Sequence, residues 1–209
     1  MPRIDAYKSA LEVAQGEFKT KDPRAIALLC EATYLPDSKG AILEFSFLNR
    51  EIKIFWPEGE MTASEESREL SPPEQILILH YLLGASGAPL THTWITFRQI
   101  PSGEFYYSAF AKRAKEPLVK TFGPRPELLV ELGIQIGGTR GDEGDVSICF
   151  QAFPRIPVCL VLWAGDDEFP PDGNLLFDAS ISQYLSTEDI AVLSGMVVYP
   201  LIGMAYKKQ

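Results

Sequence analysis

Histidine is nearly missing from this chain: His80 and His92 are the two copies in 209 residues. A metal centre built on imidazole would therefore have at most two such ligands and would need carboxylates or thiolates to complete it. Cysteine is almost as scarce. Cys30, Cys149 and Cys159 form an odd set with no CxxC pair, too few for the four thiolates of a usual iron–sulfur cluster or a Cys-rich structural zinc site. By spacing they read as free thiols, with Cys149 and Cys159 acting as small buried hydrophobes in neighbouring apolar segments. The chain also starts without a charged-then-apolar leader, so a reduced, cytoplasmic location is expected.

Positive charge is in deficit, with 19 Lys and Arg against 28 Asp and Glu and a formal charge of −9. Phosphate backbones are repelled by such a balance unless a basic patch exists. Lys112, Arg113 and Lys115 come closest to one, and their spacing is that of a solvated helix end, so no nucleic-acid partner is expected. A membrane-length apolar run is missing too. Ile190 to Tyr206 carries no charge, but it falls short of the roughly 20 residues that span a bilayer. It also contains Ser194, Gly195, Pro200 and Gly203. The expectation is a buried C-terminal helix and no membrane, with a tail anchor as the alternative. The GxSxG, GxGxxG and Walker patterns do not occur, and no internal repeat is visible.

What is present is an ordinary globular composition, 46% apolar, 11% aromatic and 22% charged, in a chain long enough to bury a sizeable core as one domain over residues 1–209, with two small lobes as the alternative. Ile4, Tyr7, Ala10, Leu11 and Ala14 recur at helical spacing, with Gly16 as a stop. Asp22 caps a second helix that opens on Pro23 and extends to Tyr34, where Leu35, Pro36 and Asp37 end it. From Ala41 to Trp56 the period changes to two, with a turn at Asn49 and Arg50, which predicts a β-hairpin. Pro57 to Leu70 is acidic, and reads as an exposed loop or frayed helix and a mobile segment.

Ser71-Pro-Pro-Glu74 is a capping box that starts a helix to Leu83, apolar almost all round. Trp94 to Ile100 reads as a strand, Phe105 to Phe122 as two helical pieces broken by Pro117, and Glu127 to Ile134 as a further helix. Three strands follow as a meander: Val146 to Ala152, Val158 to Trp163 and Leu175 to Ala179. The middle strand, VCLVLW, is apolar on both faces, as expected between layers. Thr187 caps the last helix. Strands cluster instead of alternating with helices, so the fold class is α+β, with a hairpin and a three-stranded meander packed against several helices.

Two loops could carry chemistry. Trp163 to Asp178 holds Asp166, Asp167, Glu168, Asp172 and Asp178, oxygen donors suited to a hard divalent cation, although the spacing is not that of a calcium loop and Pro171-Asp172-Gly173 also reads as a plain turn. A metal site at Asp166, Asp167, Glu168 and Asp178 is the sharper reading, an ordinary solvated hairpin loop the plainer one. Gly137 to Gly144, GGTRGDEG, could offer backbone amides to an anion beside Arg140, but it follows a helix and precedes a strand, the reverse of a phosphate loop. Arg98, Arg140 and His92 are the candidates for holding a ligand. His80, mid-helix, reads as a hydrogen-bonded core histidine.

Three stretches also carry a resemblance: LNREIKIFWPEGE at 48–60, EQILILHYLLGASGAPLTHTWITFRQIPSGEFY at 74–106 and LLFDASISQYLSTEDIAVL at 175–193. Together they resemble a bacterial and archaeal domain family of unknown function, the one numbered 3786, common in anaerobic bacteria. It has no established catalytic residues to transfer. The resemblance implies an accessory role beside a protein partner in iron–sulfur or corrinoid metabolism. Three functions follow as expectations: a cytoplasmic, non-catalytic ligand-binding or accessory protein; a metal-dependent enzyme using the acidic loop 166–178, with Arg98 or Arg140 on an anionic substrate; or a structural role in which the C-terminal helix is a dimer or membrane contact.

Overall fold

In the computed structural model, which describes residues 4–64 and 68–208, the period-two stretch forms the centre of a four-stranded antiparallel sheet. Strand β1 is Thr33–Asp37, β2 Gly40–Phe47, β3 Arg50–Trp56 and β4 Glu60–Ala63, paired in the order β1-β2-β3-β4. Alternation decides the faces: Ala41, Leu43, Phe45 and Phe47 point inward along β2, opposite Ile52 and Ile54 of β3. The turn is Leu48-Asn49, both with positive φ (47° and 61°), the two-residue geometry whose twist matches a hairpin. It lies one residue before the expected position.

Both edge strands correct the sequence reading. Helix α1 spans Ile4–Phe18, running through Gly16, and α2 Pro23–Cys30. Asp22 caps α2 as expected, its side chain accepting from Arg24 N. However, α2 ends four residues before Tyr34, because Glu31 turns left-handed at φ 54° and Thr33 and Tyr34, good strand formers, pair with Glu44 and Leu43. Pro36 is tolerated because β1 is an edge. The acidic stretch likewise contains β4, which pairs with β3 from Phe55↔Glu60 to Ile52↔Ala63. Residues 65–67 of the expected mobile segment lie outside the described residues.

Helix α3, Pro72–Gly84, begins at the expected box, with Glu74 Oε2 accepting from Ser71 N (2.9 Å) and Ser71 Oγ (2.6 Å). Its Leu77, Ile78, Leu79, Tyr81 and Leu82 are buried. Tyr81 stacks on Phe153 at 4.2 Å and donates its hydroxyl to Cys30 O at 2.9 Å. These elements, with Phe153–Arg155 and Gln183–Leu185, make one of two compact units into which contacts divide the chain.

The second unit is built on a five-stranded antiparallel sheet in the order β5-β9-β8-β7-β6, where β5 is Trp94–Thr96, β6 Thr139–Arg140, β7 Val146–Phe153, β8 Ile156–Trp163 and β9 Asp172–Asp178. The meander is as expected, and β8 is buried on both faces from Val158 to Leu162. Helices α4 (Gly103–Phe110), α5 (Glu116–Phe122), α6 (Pro126–Gln135) and α7 (Thr187–Lys207) complete it. Phe97 stacks on Phe110 at 4.2 Å, and both meet Phe177 of β9 edge-on at 6.4 Å. The expected break at Pro117 takes another form. Ala111–Lys115 is a π turn with Glu116 N donating to Ala111 O, so the ladder is already widened where the proline lacks its N–H. The cap of α7 is Ser186, one residue before Thr187, and it accepts from Asp189 N. With helices and two antiparallel sheets, the fold is α+β.

The cysteines overturn an expectation. Cys149 and Cys159 fall on neighbouring strands with Cα atoms 4.0 Å apart, and they are bonded as a disulfide. Cys30 is the free thiol, and burial pushes its pKa up to about 12, which makes it an unreactive packing residue. The pairing removes the free-thiol argument for a reducing compartment.

Candidate functional site

Carboxylates dominate the sequence candidates, and the folded chain divides them by burial. Asp178, 3% exposed, ends β9 as an acceptor. Its Oδ1 takes Thr91 N, Thr91 Oγ1, Ser180 N and Ser180 Oγ at 2.7–3.0 Å, and its Oδ2 takes His92 N at 2.7 Å. Burial works to raise this carboxyl, but the hydrogen bonds from Ser180 and Thr91 outweigh it and hold the pKa at about 2. Asp178 thus pins the 91–92 segment, where His92 adopts φ 55°, to the sheet edge.

Asp166, Asp167 and Glu168 lie in the exposed loop at the opposite end of β9. Asp166 Oδ1 accepts from Glu168 N (2.8 Å) and Phe169 N (2.7 Å), and the Phe169 bond leads in lowering its pKa. A strand of this length separates Asp172 from Asp178 by about 20 Å, so the four proposed ligands do not converge. Among the described residues no group of three or more His, Cys, Asp or Glu side chains is placed to hold a metal ion.

The other candidates are engaged with neighbours. Arg98 Nη1 contacts both oxygens of Glu104 at 2.6 Å, and its guanidinium lies 3.7 Å from the Tyr107 ring centroid. Arg140 Nη2 reaches Glu127 Oε1 at 3.5 Å. The glycine-rich loop serves packing. A Cβ on Gly141 would stand 2.8 Å from Ser147 Oγ and 2.9 Å from Cys149 Sγ, and one on Gly144, at φ 62°, 2.5 Å from a Val161 methyl. Glycine there lets the loop lie directly on the sheet, and no side chain could replace it without displacement.

Sequence reasoning missed two arrangements. The first is a buried ion cluster: Glu74, 3% exposed, receives Arg50 Nη2 on Oε1 and Arg68 on both oxygens. Burial raises its pKa, but the bonds from Arg68 and Ser71 and the charge of Arg50 overcome that and bring it to about 2. The second is a groove of about 470 Å³ between α1 and α3. Ala6, Ala10, Val13 and Ala14 of α1 and Leu83 of α3 supply its apolar surface, with Ser9, Glu17 and the half-buried His80 as polar groups. Val13 stays 69% exposed there. Size and lining fall in the range of small-molecule sites, mostly apolar with a few polar groups. The signal was present but faint. Tyr7, Leu11, Ala14 and Phe18 turn inward, which leaves the small residues Ala6 and Ala10 and the branched Val13 on the adjoining face, where a solvated helix usually carries charge.

No curated protein matches this chain, and no solved structure does. One family model matches, from the cap of α2 at Asp22 into α7 at Tyr199, so that α1 precedes the matched region. Since that match over residues 22–199 takes in most of the chain, the protein belongs to the family described as Domain of unknown function (DUF3786).

Proposed function

We propose that the protein is a non-catalytic ligand-binding module, and that the ligand is a small, largely apolar molecule with one polar group, seated between α1 and α3. The observation that carries this reading is the groove itself, open to solvent and mostly apolar, with Ser9, Glu17 and His80 as its polar groups. The disposition of charge supports it: the buried carboxylates Glu74 and Asp178 are saturated by internal donors, and Arg98 is held by Glu104 and Tyr107. A general acid or base needs a perturbed group open to substrate, and these are committed to the fold. The resemblance in the segments quoted above extends the proposal to an accessory role beside a partner in iron–sulfur or corrinoid metabolism.

Native mass spectrometry of protein isolated anaerobically from its own host, with elemental analysis in parallel, tests the reading. The expected result is a retained organic mass that disappears in Val13→Asp, an exposed position where stability should change by no more than about 0.5 kcal/mol. A bare chain mass refutes the ligand. Stoichiometric divalent metal that is lost on Asp167→Ala overturns the reading in favour of the metal-dependent enzyme.

A further inference from the structure

The outward face of α7 lacks what a solvated helix face carries. Ile190, Leu193, Val197, Leu201 and Ala205 are buried within its own unit, so the opposite side should be charged. Instead Ile190 to Tyr206 contains no charged residue. The side that keeps exposure presents Val192 and Met196, half-buried, then Tyr199, Gly203 and Tyr206, with Tyr199 52% and Tyr206 61% exposed. These five follow one another at intervals of four, three, four and three residues, the a/d seam of a helix that packs along another helix.

We propose that this seam is a dimer interface, in which α7 of one copy packs antiparallel against α7 of a second copy of this chain about a two-fold axis near Tyr199. Three observations select that occupant. The charge pattern is self-complementary only in the antiparallel sense: α7 has Glu188 in its first turn and Lys207 in its last, so each Glu188 meets Lys207 of the second copy, while Lys208 is paired with Glu131 of its own chain. The shapes are self-complementary in the same register. With Tyr199 at the axis, Val192 faces Tyr206 of the second copy and Met196 faces Gly203, where a Cβ would meet nothing within 4 Å and space is left for a long side chain. A two-fold interface requires such matching of a patch to itself. Finally, a membrane fits poorly. At 21 residues α7 is, contrary to the sequence expectation, long and apolar enough to cross a bilayer, but half of its apolar stretch is buried in its own unit, a narrow seam is not the broad apolar face of an interfacial helix, and a charge of −9 opposes anionic lipid.

Sedimentation equilibrium of the full chain, combined with cysteine cross-linking, tests this. The background is low, since Cys30 is buried and Cys149 is bonded to Cys159. The wild type should be a reversible dimer. Tyr199→Glu should raise its dissociation constant about a hundredfold, with a melting curve that matches the wild type at dilutions where both are monomeric and falls below it where only the wild type is paired. Lys207→Glu should weaken it about tenfold, and adding Glu188→Lys should restore it. Tyr199→Cys should give a covalent dimer under mild oxidation, as should Val192→Cys combined with Tyr206→Cys, whereas Lys39→Cys should not. A monomer at all concentrations overturns the proposal. So does efficient cross-linking of Val192→Cys alone, which would mean parallel helices. A wild-type monomer that sediments with phosphatidylglycerol vesicles and is released by Tyr199→Glu would assign the seam to lipid and likewise overturn it.

Discussion

Replacing Asp178 with asparagine separates a structural carboxylate from a reactive one. Asparagine keeps the shape and one acceptor oxygen, but turns an amide N–H pair toward donors that the carboxylate accepts. With the oxygen kept toward Thr91 and Ser180, the buried amide faces His92 N, which now donates to Oδ2 at 2.7 Å. Leaving a buried donor unmatched costs about 1–3 kcal/mol, so Asp178→Asn should lose about 2 kcal/mol at pH 7. The pH dependence is more discriminating. The carboxyl titrates at about 2 in the folded chain against about 3.9 unfolded, a difference of about 3 kcal/mol in stability. Because the folded value is the depressed one, this stabilisation is fully present above the unfolded pKa and is lost as pH falls through 4 toward 2. Urea denaturation of both proteins at pH 7, 5 and 3, followed by tryptophan fluorescence, measures it. The gap between wild type and variant should hold from pH 7 to 5 and narrow by about 1 kcal/mol at pH 3. Glu74 titrates alike in both proteins and cancels in the difference. A gap that stays constant down to pH 3, or that is absent at pH 7, refutes the account of Asp178 as a hydrogen-bonded anion.

Glu74→Gln should destabilise the first unit by about 3 kcal/mol, since Arg50 is left largely buried without its charge partner. Arg68→Gln should cost less than about 1 kcal/mol, because Arg68 is largely exposed and its pairing is screened by water; urea melts of the two variants compare them directly. Reduction of the Cys149–Cys159 disulfide, or Cys159→Ser, should lower stability by about 2–3 kcal/mol, the loop-closure value for a separation of 10 residues. Thermal melts with and without a phosphine reductant measure the loss. Alkylation followed by intact mass should count one thiol in the denatured, unreduced chain and three after reduction.

Much of the fold was legible because it is written locally. The β2–β3 hairpin, the capping box of α3, helix α6 and the β7–β8–β9 meander each carry their pattern within a dozen or so residues. What was not legible depends on partners far along the chain. β1 contains Pro36 and β4 is acidic, poor strand sequences that become strands because each has one open edge and a neighbour, β2 or β3, offering backbone groups. The disulfide was missed for the same kind of reason, since spacing shows that two cysteines lie in adjacent apolar segments but not that their strands bring them onto one face. The groove between α1 and α3 was obscured by its small residues, which look like neutral helix formers until the inward stripe is fixed by packing.

The carboxylates at the two ends of β9 differ in burial for a reason visible in the sequence. Asp166, Asp167 and Glu168 are adjacent, and adjacent like charges resist burial because each requires its own solvation. A run of this kind therefore settles in an exposed loop, where Asp166 can do no more than fold its own turn. Asp178 and Glu74 stand apart in their local sequence, and that isolation lets a single carboxylate be carried inside and saturated by donors. The donors for Asp178 include Thr91, 87 residues away, and those for Glu74 include Arg50, 24 residues away. The two carboxylates that the fold buries among the described residues, Glu74 and Asp178, are thus ones outside the acidic run at 166–168, and each is held by donors that its local sequence does not contain.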